Sequence, residues 1–413
     1  MDVILVGAGI GRLTLSLLPH PPGVPVRVYE SAAEIRPIGV GISVLPHASR
    51  ELDALGLIPA LLAVGVEAKE SCFFNRFGQF IFKEPVGRAA GYPWPQLQVH
   101  RGDLQQVIHR AFIAEAGADR VITGRRCVAV EQDGASATAV FTRADGTTER
   151  VAGRAVIAAD GIHSAVRRQL FPDEGGPIYS GVNMWRGVTR WKPFLTGQSY
   201  VRAGWLTHGK MVIYPIRNAV DADGNQLVNW VAEIETPKHD AQDWNKRGRL
   251  EDFIDVFADW HFDFLDVPAM IRAADAILEY PMVDKDPLPK WSFGRVTLLG
   301  DAAHPMYPRG SNGAGQAILD ARALADALAA TDDAVAALKA YEEARLAATA
   351  AVVRTNRTTP PDAILREVYL RTGDKPFDRI EDVIDPAELA AITNSYKKVA
   401  GYDRQTLEAK PAG

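Results

Sequence analysis

Four short, mostly apolar runs, each followed at once by glycine or a carboxylate, constrain the fold of this chain more than any other feature. They are Val3–Val6 before Gly7, Val26–Tyr29 before Glu30, Ala155–Ala159 before Asp160, and Val296–Leu299 before Gly300 and Asp301. Short β-rich runs bounded by Gly and Asp are typical of strands buried on both faces of a parallel sheet. Ligands of open α/β sheets bind at the carboxyl ends of such strands. We therefore predict an α/β fold with one shared ligand site at those ends.

The chain from about residue 178 to 290 has a different texture, with extended segments of alternating pattern. Its aromatic residues include Trp185, Trp191, Tyr200, Trp205, Tyr214 and Trp230. The turn 221–225 separates two of the segments, as expected for a hairpin, and 250–260 has a helical apolar stripe. We interpret this region as an antiparallel sheet that covers the first domain and receives a substrate.

Two helices are predicted after the fourth run, from about Ala314 to Ala329 and from about Ala334 to Arg357. The pair Pro360-Pro361 ends the second helix, because proline cannot continue it. The rest of the chain is polar and mixed, and we expect its last dozen residues to lack order.

Composition excludes several classes of protein. The 51 acidic and 46 basic residues give a formal net charge of -5, which argues against nucleic acid as a partner. Cys72 and Cys127 are far apart, so the sequence indicates neither disulfides nor a metal site, and a reducing compartment, the cytoplasm, fits best. No run approaches the roughly 20 apolar residues that span a bilayer.

The first run leads into a glycine-rich turn, Gly7-Ala8-Gly9-Ile10-Gly11-Arg12. Glycines in such a turn let the backbone approach a pyrophosphate at a helix amino terminus, and Glu30 is placed to accept hydrogen bonds from a ribose. The pattern predicts a dinucleotide site but leaves NAD and FAD open.

Arg12 departs from the pattern, because the third glycine normally permits close packing of the helix on the sheet. Pro19, Pro21 and Pro22 also limit the helix. We interpret Arg12 as a packing departure, so replacing it with glycine is expected to leave cofactor binding intact or improve it.

Two later motifs follow the third and fourth runs. They are Asp160-Gly161-Ile162-His163-Ser164-Ala165-Val166-Arg167, and Gly300-Asp301-Ala302-Ala303-His304-Pro305 with the loop Tyr307-Pro308-Arg309-Gly310-Ser311-Asn312-Gly313-Ala314-Gly315-Gln316. With the first turn, they resemble the aromatic hydroxylases of the p-hydroxybenzoate hydroxylase family (group A flavoprotein monooxygenases). Trp185-Arg186-Gly187 and Tyr214-Pro215-Ile216 look closest to the branch that includes phenazine hydroxylases.

The resemblance implies a Rossmann-like FAD-binding domain (1–70, 100–177 and 291–357), interleaved with a substrate-binding sheet domain (71–99 and 178–290) and followed by a helical or extended tail (358–413). It implies that Asp301 holds the ribityl chain, that Arg101 lies near the FAD phosphates, and that the Pro308 loop lies against the flavin. The full set of implied cofactor residues is Gly7, Gly9, Ile10, Gly11, Glu30, Ser31, Arg101, Asp160, Gly161, Gly300, Asp301, Pro308, Gly310, Asn312, Gly313 and Ala314. Arg101 could instead be an ordinary surface charge.

The resemblance also implies the reaction: NADPH or NADH reduces FAD, and a flavin C4a-hydroperoxide transfers one oxygen atom of O2 to a small aromatic substrate. The flavin supplies the chemistry, so no catalytic side chain and no metal is assigned. Oxidase, reductase or halogenase activity, a nicotinamide-dependent dehydrogenase and a flavin-binding sensor stay open as alternatives, and the protein is expected to be a monomer or homodimer.

The substrate site is the least determined part. Trp185, Trp205, Tyr214 and Pro308 are candidate pocket residues, although the aromatic ones are as consistent with a sheet core. Arg186, Arg202 or Arg217 could pair with a substrate anion, and the sequence does not fix which side chains point inward.

Overall fold

The computed structural model describes residues 2–18, 25–236 and 247–409. Pro19, Pro21 and Pro22, which were expected to limit the first helix, lie outside the described residues. The strands, in chain order, are β1 (Val3–Val6), β2 (Val26–Tyr29), β3 (Gly41–Val44), β4 (Gly65–Ala68), β5 (Glu70–Phe74), β6 (Phe80–Pro85), β7 (Gln96–His100), β8 (Val121–Ile122), β9 (Arg125–Gln132), β10 (Ala137–Arg143), β11 (Thr148–Gly153), β12 (Ala155–Ala158), β13 (Ile178–Trp191), β14 (Ser199–Gly204), β15 (Lys210–Arg217), β16 (Gln226–Glu235), β17 (His261–Phe262), β18 (Leu265–Asp266), β19 (Ile277–Asp284), β20 (Ser292–Phe293) and β21 (Val296–Leu298).

The helices carry much of the chain's alanine. In chain order they are α1 (Ile10–Leu17), α2 (Pro46–Ala54), α3 (Ile58–Val64), α4 (Arg101–Ala116), α5 (Ala165–Leu170), α6 (Val267–Arg272), α7 (Gly313–Ala330), α8 (Ala334–Thr358), α9 (Ala363–Thr372), α10 (Pro386–Ala400) and α11 (Arg404–Ala409). Within the described parts of the chain, no helix is both long enough and apolar enough to cross a membrane.

The four predicted runs form β1, β2, β12 and β21 of one sheet, whose strand order is β20-β21-β12-β1-β2-β8. All neighbouring pairs are parallel except the edge pair β20 and β21. Strands β1 and β12 are buried along their whole length, as their unbroken apolar sequences require. The expectation of an α/β fold with a parallel sheet is confirmed.

A second large sheet has the order β19-β13-β16-β15-β14-β5-β6 and is antiparallel except where β5 joins β14. The predicted hairpin turn joins β15 to β16, and Asp221 accepts hydrogen bonds from the N–H groups of Asp223 and Asn225. Two antiparallel three-stranded sheets, β11-β10-β9 and β3-β7-β4, and the antiparallel pair β17-β18 complete the sheets of the described residues. The expected antiparallel layer is therefore confirmed.

One predicted helix is wrong. Residues 250–260 form two short 3-10 turns, Leu250–Asp252 and Ile254–Phe257. Phe253 interrupts them with φ of -146°, and its ring stacks on Trp185 with centroids 5.0 Å apart. Filling the aromatic core beneath the sheet therefore outweighs the local helical periodicity.

The end of the chain is more ordered than predicted. Helices α9 and α10 place Ile364, Leu365 and Leu389 in one apolar cluster with Phe73 and Ile81 of the second sheet. The last dozen residues were expected to lack order, but α11 lies within them. This segment is integral to the structure because it buries apolar side chains that the sheet alone leaves uncovered.

Candidate functional site

The carboxyl ends of the four predicted strands open on one cavity of about 830 Å³, which is lined by both large sheets. Gly7, Glu30, Asp160 and Asp301, each following a different strand, all line it. Parallel strands present their carboxyl ends at the same edge, which explains why residues so distant in sequence meet.

Nearly all residues that the resemblance assigns to the cofactor lie on this wall. Those lining the cavity are Gly7, Gly9, Ile10, Gly11, Glu30, Ser31, Arg101, Asp160, Gly161, Gly300, Asp301, Pro308, Asn312, Gly313 and Ala314. Gly310 is the exception. It is buried behind the loop, where an added Cβ would lie 1.5 Å from Tyr396 Oη, so its role is to let the loop pack against α10.

The glycine turn is held from both sides. Ala8 N–H donates to Glu30 Oε2 at 2.6 Å, and the Gln105 amide donates to the Ala8 carbonyl at 2.6 Å. A Cβ on Gly11 would meet Ala317 Cβ at 2.8 Å, so this glycine permits the close approach of α1 to α7. The amino end of α1 thereby faces the cavity, where its free N–H groups and dipole favour an anion.

Unused acceptors face the same space. Asp160 Oδ2 accepts the Ala165 N–H at 2.8 Å, whereas Oδ1 is buried without a hydrogen-bond partner. Asp301 is exposed to the cavity beside the amino end of α7. Such acceptors, with a glycine turn for a pyrophosphate, fit a dinucleotide that carries sugar hydroxyls, and thus fit FAD.

The loop before α7 is fixed by side chains that the sequence did not single out. Ser311 has a φ of 52°, and the Asn312 amide oxygen lies 2.9 Å from His47 Nε2. Asn356 donates to the Tyr307 carbonyl at 3.0 Å and accepts from Tyr396 at 2.7 Å. The loop is therefore braced by α2, α8 and α10 rather than by its own sequence.

Asp320 on α7 is a further buried support. It accepts hydrogen bonds from the Gly300 N–H at 3.2 Å, from His304 and from Arg345 Nε at 2.8 Å. Burial alone would raise the pKa of its carboxyl, but the charges of His304 and Arg345 outweigh burial and lower it. Because its partners come from the turn that precedes α7 and from α8, only their shared position in the fold shows this role.

Alternate residues of the second sheet form the opposite wall. The side chains facing the cavity are Met184, Arg186, Tyr200, Val212, Tyr214, Val231 and Glu233. Strand residues alternate between faces, and the intervening Trp185, Val201, Ile213 and Trp230 belong to the core on the other side. The Tyr200 and Tyr214 rings stack with centroids 4.8 Å apart, and Tyr200 Oη lies 2.9 Å from Ser311 Oγ.

Two of the predicted substrate residues are elsewhere. Trp185 is buried against Phe253 on the far face of the sheet, and Trp205 packs between the sheet and α9. Neither lines the cavity, because strand alternation and the end of β14 turn them away. Tyr214 and Pro308 do line it.

Of the three candidate arginines, Arg186 lines the cavity and the other two do not. Arg202 pairs with buried Asp362 at 2.9 Å, and Arg217 pairs with Asp103 at 2.5 Å. Arg186 lines the cavity, donates from Nη2 to the Gly41 carbonyl at 3.0 Å, and keeps a buried Nε without a hydrogen-bond partner. Burial raises the pKa of the nearby Tyr214, so its phenol stays protonated and able to donate.

The buried His47 predicts a pH dependence. Burial, and to a smaller extent the charges of Arg345 and Arg50, lower the pKa of its imidazole to about 4. The unfolded chain takes up this proton near pH 6.5 and the folded chain does not, so stability is lost as the pH falls from about 6.5 to about 4. We expect wild type to lose about 2 kcal/mol more than His47→Gln between pH 7 and pH 5. Urea unfolding at both values checks this, and equal losses would contradict it.

This chain matches one protein family and is similar in sequence and fold to several known proteins. The sequence profile of the family described as "FAD binding domain" matches residues 1–253 and 275–356. A phenazine 1,6-dicarboxylic acid hydroxylase from Lysobacter antibioticus is 42% identical over 96% of this chain and 97% of its own. A 3-amino-4-hydroxybenzoate 2-monooxygenase from Streptomyces platensis is 35% identical over 100% of this chain and 97% of its own. The structure of Klebsiella pneumoniae HpxO with FAD and uric acid shares the fold, with a TM-score of 0.77 at 24% identity over 100% of this chain and 98% of the other.

Proposed function

Because this chain belongs to the FAD binding domain family and is a flavoprotein aromatic monooxygenase, we propose that its substrate is a planar aromatic carboxylate held by Arg186. The observation that carries the proposal is the Arg186 side chain, a cation on the cavity wall with an unused donor.

Arg186 has the geometry of an anion receptor. Its Nη2 donates to the Gly41 carbonyl, which fixes one end of the guanidinium, and its buried Nε has no hydrogen-bond partner. Hydrogen bonds between a guanidinium and a carboxylate are charge-assisted and about twice as strong as neutral ones. The stacked Tyr200 and Tyr214 rings and Val212 add a flat, mostly apolar surface for an aromatic ring.

The names of the two relatives support the same class of substrate, an aromatic carboxylate. One names a phenazine dicarboxylic acid and the other an amino-hydroxybenzoate. Both are planar aromatic compounds with a carboxylate. The relative named for the phenazine acid is the more similar of the two, at 42% against 35% identity, so we favour the larger, phenazine-like acid.

The cofactor roles are part of the proposal. The α1 turn would hold the FAD pyrophosphate, Glu30 a ribose, and Asp301 with Asp160 the other hydroxyls. The amino end of α7 would face the pyrimidine edge of the ring, where its dipole favours negative charge. Bound FAD, reduced by NADPH or NADH, supplies the activation of O2. The protein orients the substrate ring and excludes water.

The test compares Arg186→Met with Arg190→Met, a solvent-exposed arginine on the same strand that pairs with Asp221. We expect Arg186→Met to raise the Kd of phenazine-1,6-dicarboxylate about tenfold to a hundredfold, since a charged hydrogen bond is lost. The neutral phenazine-1,6-dicarboxamide should bind Arg186→Met and Arg190→Met equally well. Product mass, increased by one oxygen, checks hydroxylation. If acid and amide are affected alike, Arg186 does not read the carboxylate.

Cellular context follows from the chemistry. The enzyme would work in the cytoplasm, where NAD(P)H is supplied and the buried thiols of Cys72 and Cys127 stay reduced. It would act as a monomer or homodimer, because one chain supplies every residue assigned to the site. Sedimentation equilibrium distinguishes the two states.

A further inference from the structure

Arg12 occupies the position of the third glycine of the turn, yet its side chain does not point into helix packing. It is 6% exposed, and its guanidinium lies against the turn. A Cβ built on Gly7 would be 2.0 Å from Arg12 Nη1, and one on Gly9 would be 3.3 Å from Nη2. The two glycines thus make room for the guanidinium, which lines the cavity.

This buried cation has no partner in direct contact. Nη1 has no hydrogen-bond partner, and no carboxylate among the described residues forms an ion pair with Arg12. The two acids whose charges act most on Arg12 bond to backbone N–H groups instead: Glu30 accepts those of Ala8 and Ala32, and one oxygen of Asp160 accepts that of Ala165. A buried charge without a contacting partner is unfavourable, so the arrangement calls for an anion from outside the chain.

Burial lowers the pKa of Arg12 to about 10, although Glu30, Asp160 and Asp301 act in the opposite direction. The side chain is therefore still a cation at neutral pH. Three carboxylates at the strand ends surround the turn, so the amino end of α1 has to bind a doubly charged diphosphate in a field of negative charge. Arg12 brings a positive charge to the place where the diphosphate would bind.

We propose that Arg12 is a cofactor-binding residue whose guanidinium pairs with the diphosphate of FAD at the glycine turn. The turn's N–H groups and the Arg12 side chain converge on the same space, and a diphosphate satisfies both. The side chain therefore reverses the expectation drawn from the sequence, in which Arg12 only disturbs packing. This inference is independent of the identity of the aromatic substrate.

The experiment titrates apoprotein with FAD, ADP and adenosine. Variants are Arg12→Met, which keeps the apolar stem, Arg12→Gly, which restores the common glycine, and Arg12→Lys. We expect Met and Gly to raise the Kd of FAD and ADP about tenfold to a hundredfold and leave adenosine unchanged, with Lys recovering part of the loss. The Kd of FAD should also depend less on salt in Arg12→Met. Arg110→Met, an exposed arginine on α4, is the matched control.

Thermal unfolding of the apoproteins separates binding from packing. Because Arg12→Met removes an unpaired buried charge, its apoprotein should unfold at the same or a higher temperature than wild type while it binds FAD more weakly. If Arg12 served only packing, the substitution would lower both the unfolding temperature and the affinity for FAD. FAD binding by Arg12→Gly that equals or exceeds wild type overturns the proposal, as does an equal loss of ADP and adenosine affinity.

Discussion

Replacing Asp320 with alanine is expected to destabilise the protein by about 3–5 kcal/mol, because it leaves buried charges without their partner. Asp320 is fully buried and joins Arg345 of α8 and His304 to the Gly300 backbone. Without this carboxylate, the Gly300–Asp301 turn loses a hydrogen bond and α7 loses its ion pair with α8. We therefore expect weaker FAD binding together with the loss of stability.

Urea unfolding of the apoprotein measures the first effect, and flavin fluorescence titration measures the second. Asp326→Ala is the matched control, since Asp326 lies on the same helix and pairs with Arg322 at the surface. Exposed pairs contribute about 0–1 kcal/mol. An Asp320 variant no less stable than this control would show that the buried network does not hold the turn.

Replacing Lys210 with methionine should be equally costly. Lys210 is 1% exposed and donates to Glu233 at 3.0 and 2.9 Å and to Asp362 at 2.5 Å. The variant leaves the buried carboxylates of Glu233 and Asp362 without Lys210, although Asp362 keeps its pair with Arg202. Removing one partner of such a group costs about 3–5 kcal/mol. Because Glu233 lines the cavity and Asp362 precedes α9, the site wall and the chain end should loosen together.

A double variant tests the coupling. Adding Glu233→Gln to Lys210→Met removes one of the two stranded charges, so it should recover part of the lost stability instead of adding to the loss. Lys339→Met, which breaks an exposed pair with Glu343 on α8, is the control. Additive losses from Lys210→Met and Glu233→Gln would contradict a coupled buried group.

The elements that the sequence predicted best are those whose pattern fits a single structure, such as a strand buried on both faces. Strands β1 and β12 are buried on both faces, so their sequences are unbroken apolar runs whose ends can be read directly. Helix α7 was predicted within a residue at each end, since alanine-rich periodicity and the glycine before it both mark it. The carboxyl-end residues of the parallel sheet follow from these strands, and the structure brings them to one cavity.

Prediction was weakest for strand residues that could lie on either face of a sheet. In β13 the neighbours Trp185 and Arg186 differ only in which side of the sheet they face, and a shift of one residue exchanges them. Nothing local reveals that Arg186 faces the cavity and Trp185 the core. Asp320 and Tyr396 were missed for a related reason, because their partners Arg345 and Asn356 lie on another helix, α8, and only the packing of the helices brings them together.

The parallel pairing of β5 with β14 affects how the chain can fold. Residues 70–74 find their sheet neighbour only at 199–203, with two strands of the first sheet and the whole β9-β10-β11 sheet between them in sequence. Contacts of such long range are slow to form. During synthesis, β5 and β6 emerge well before their partner and leave an unpaired strand edge exposed. We therefore expect neither large sheet to be completed before most of the chain has left the ribosome.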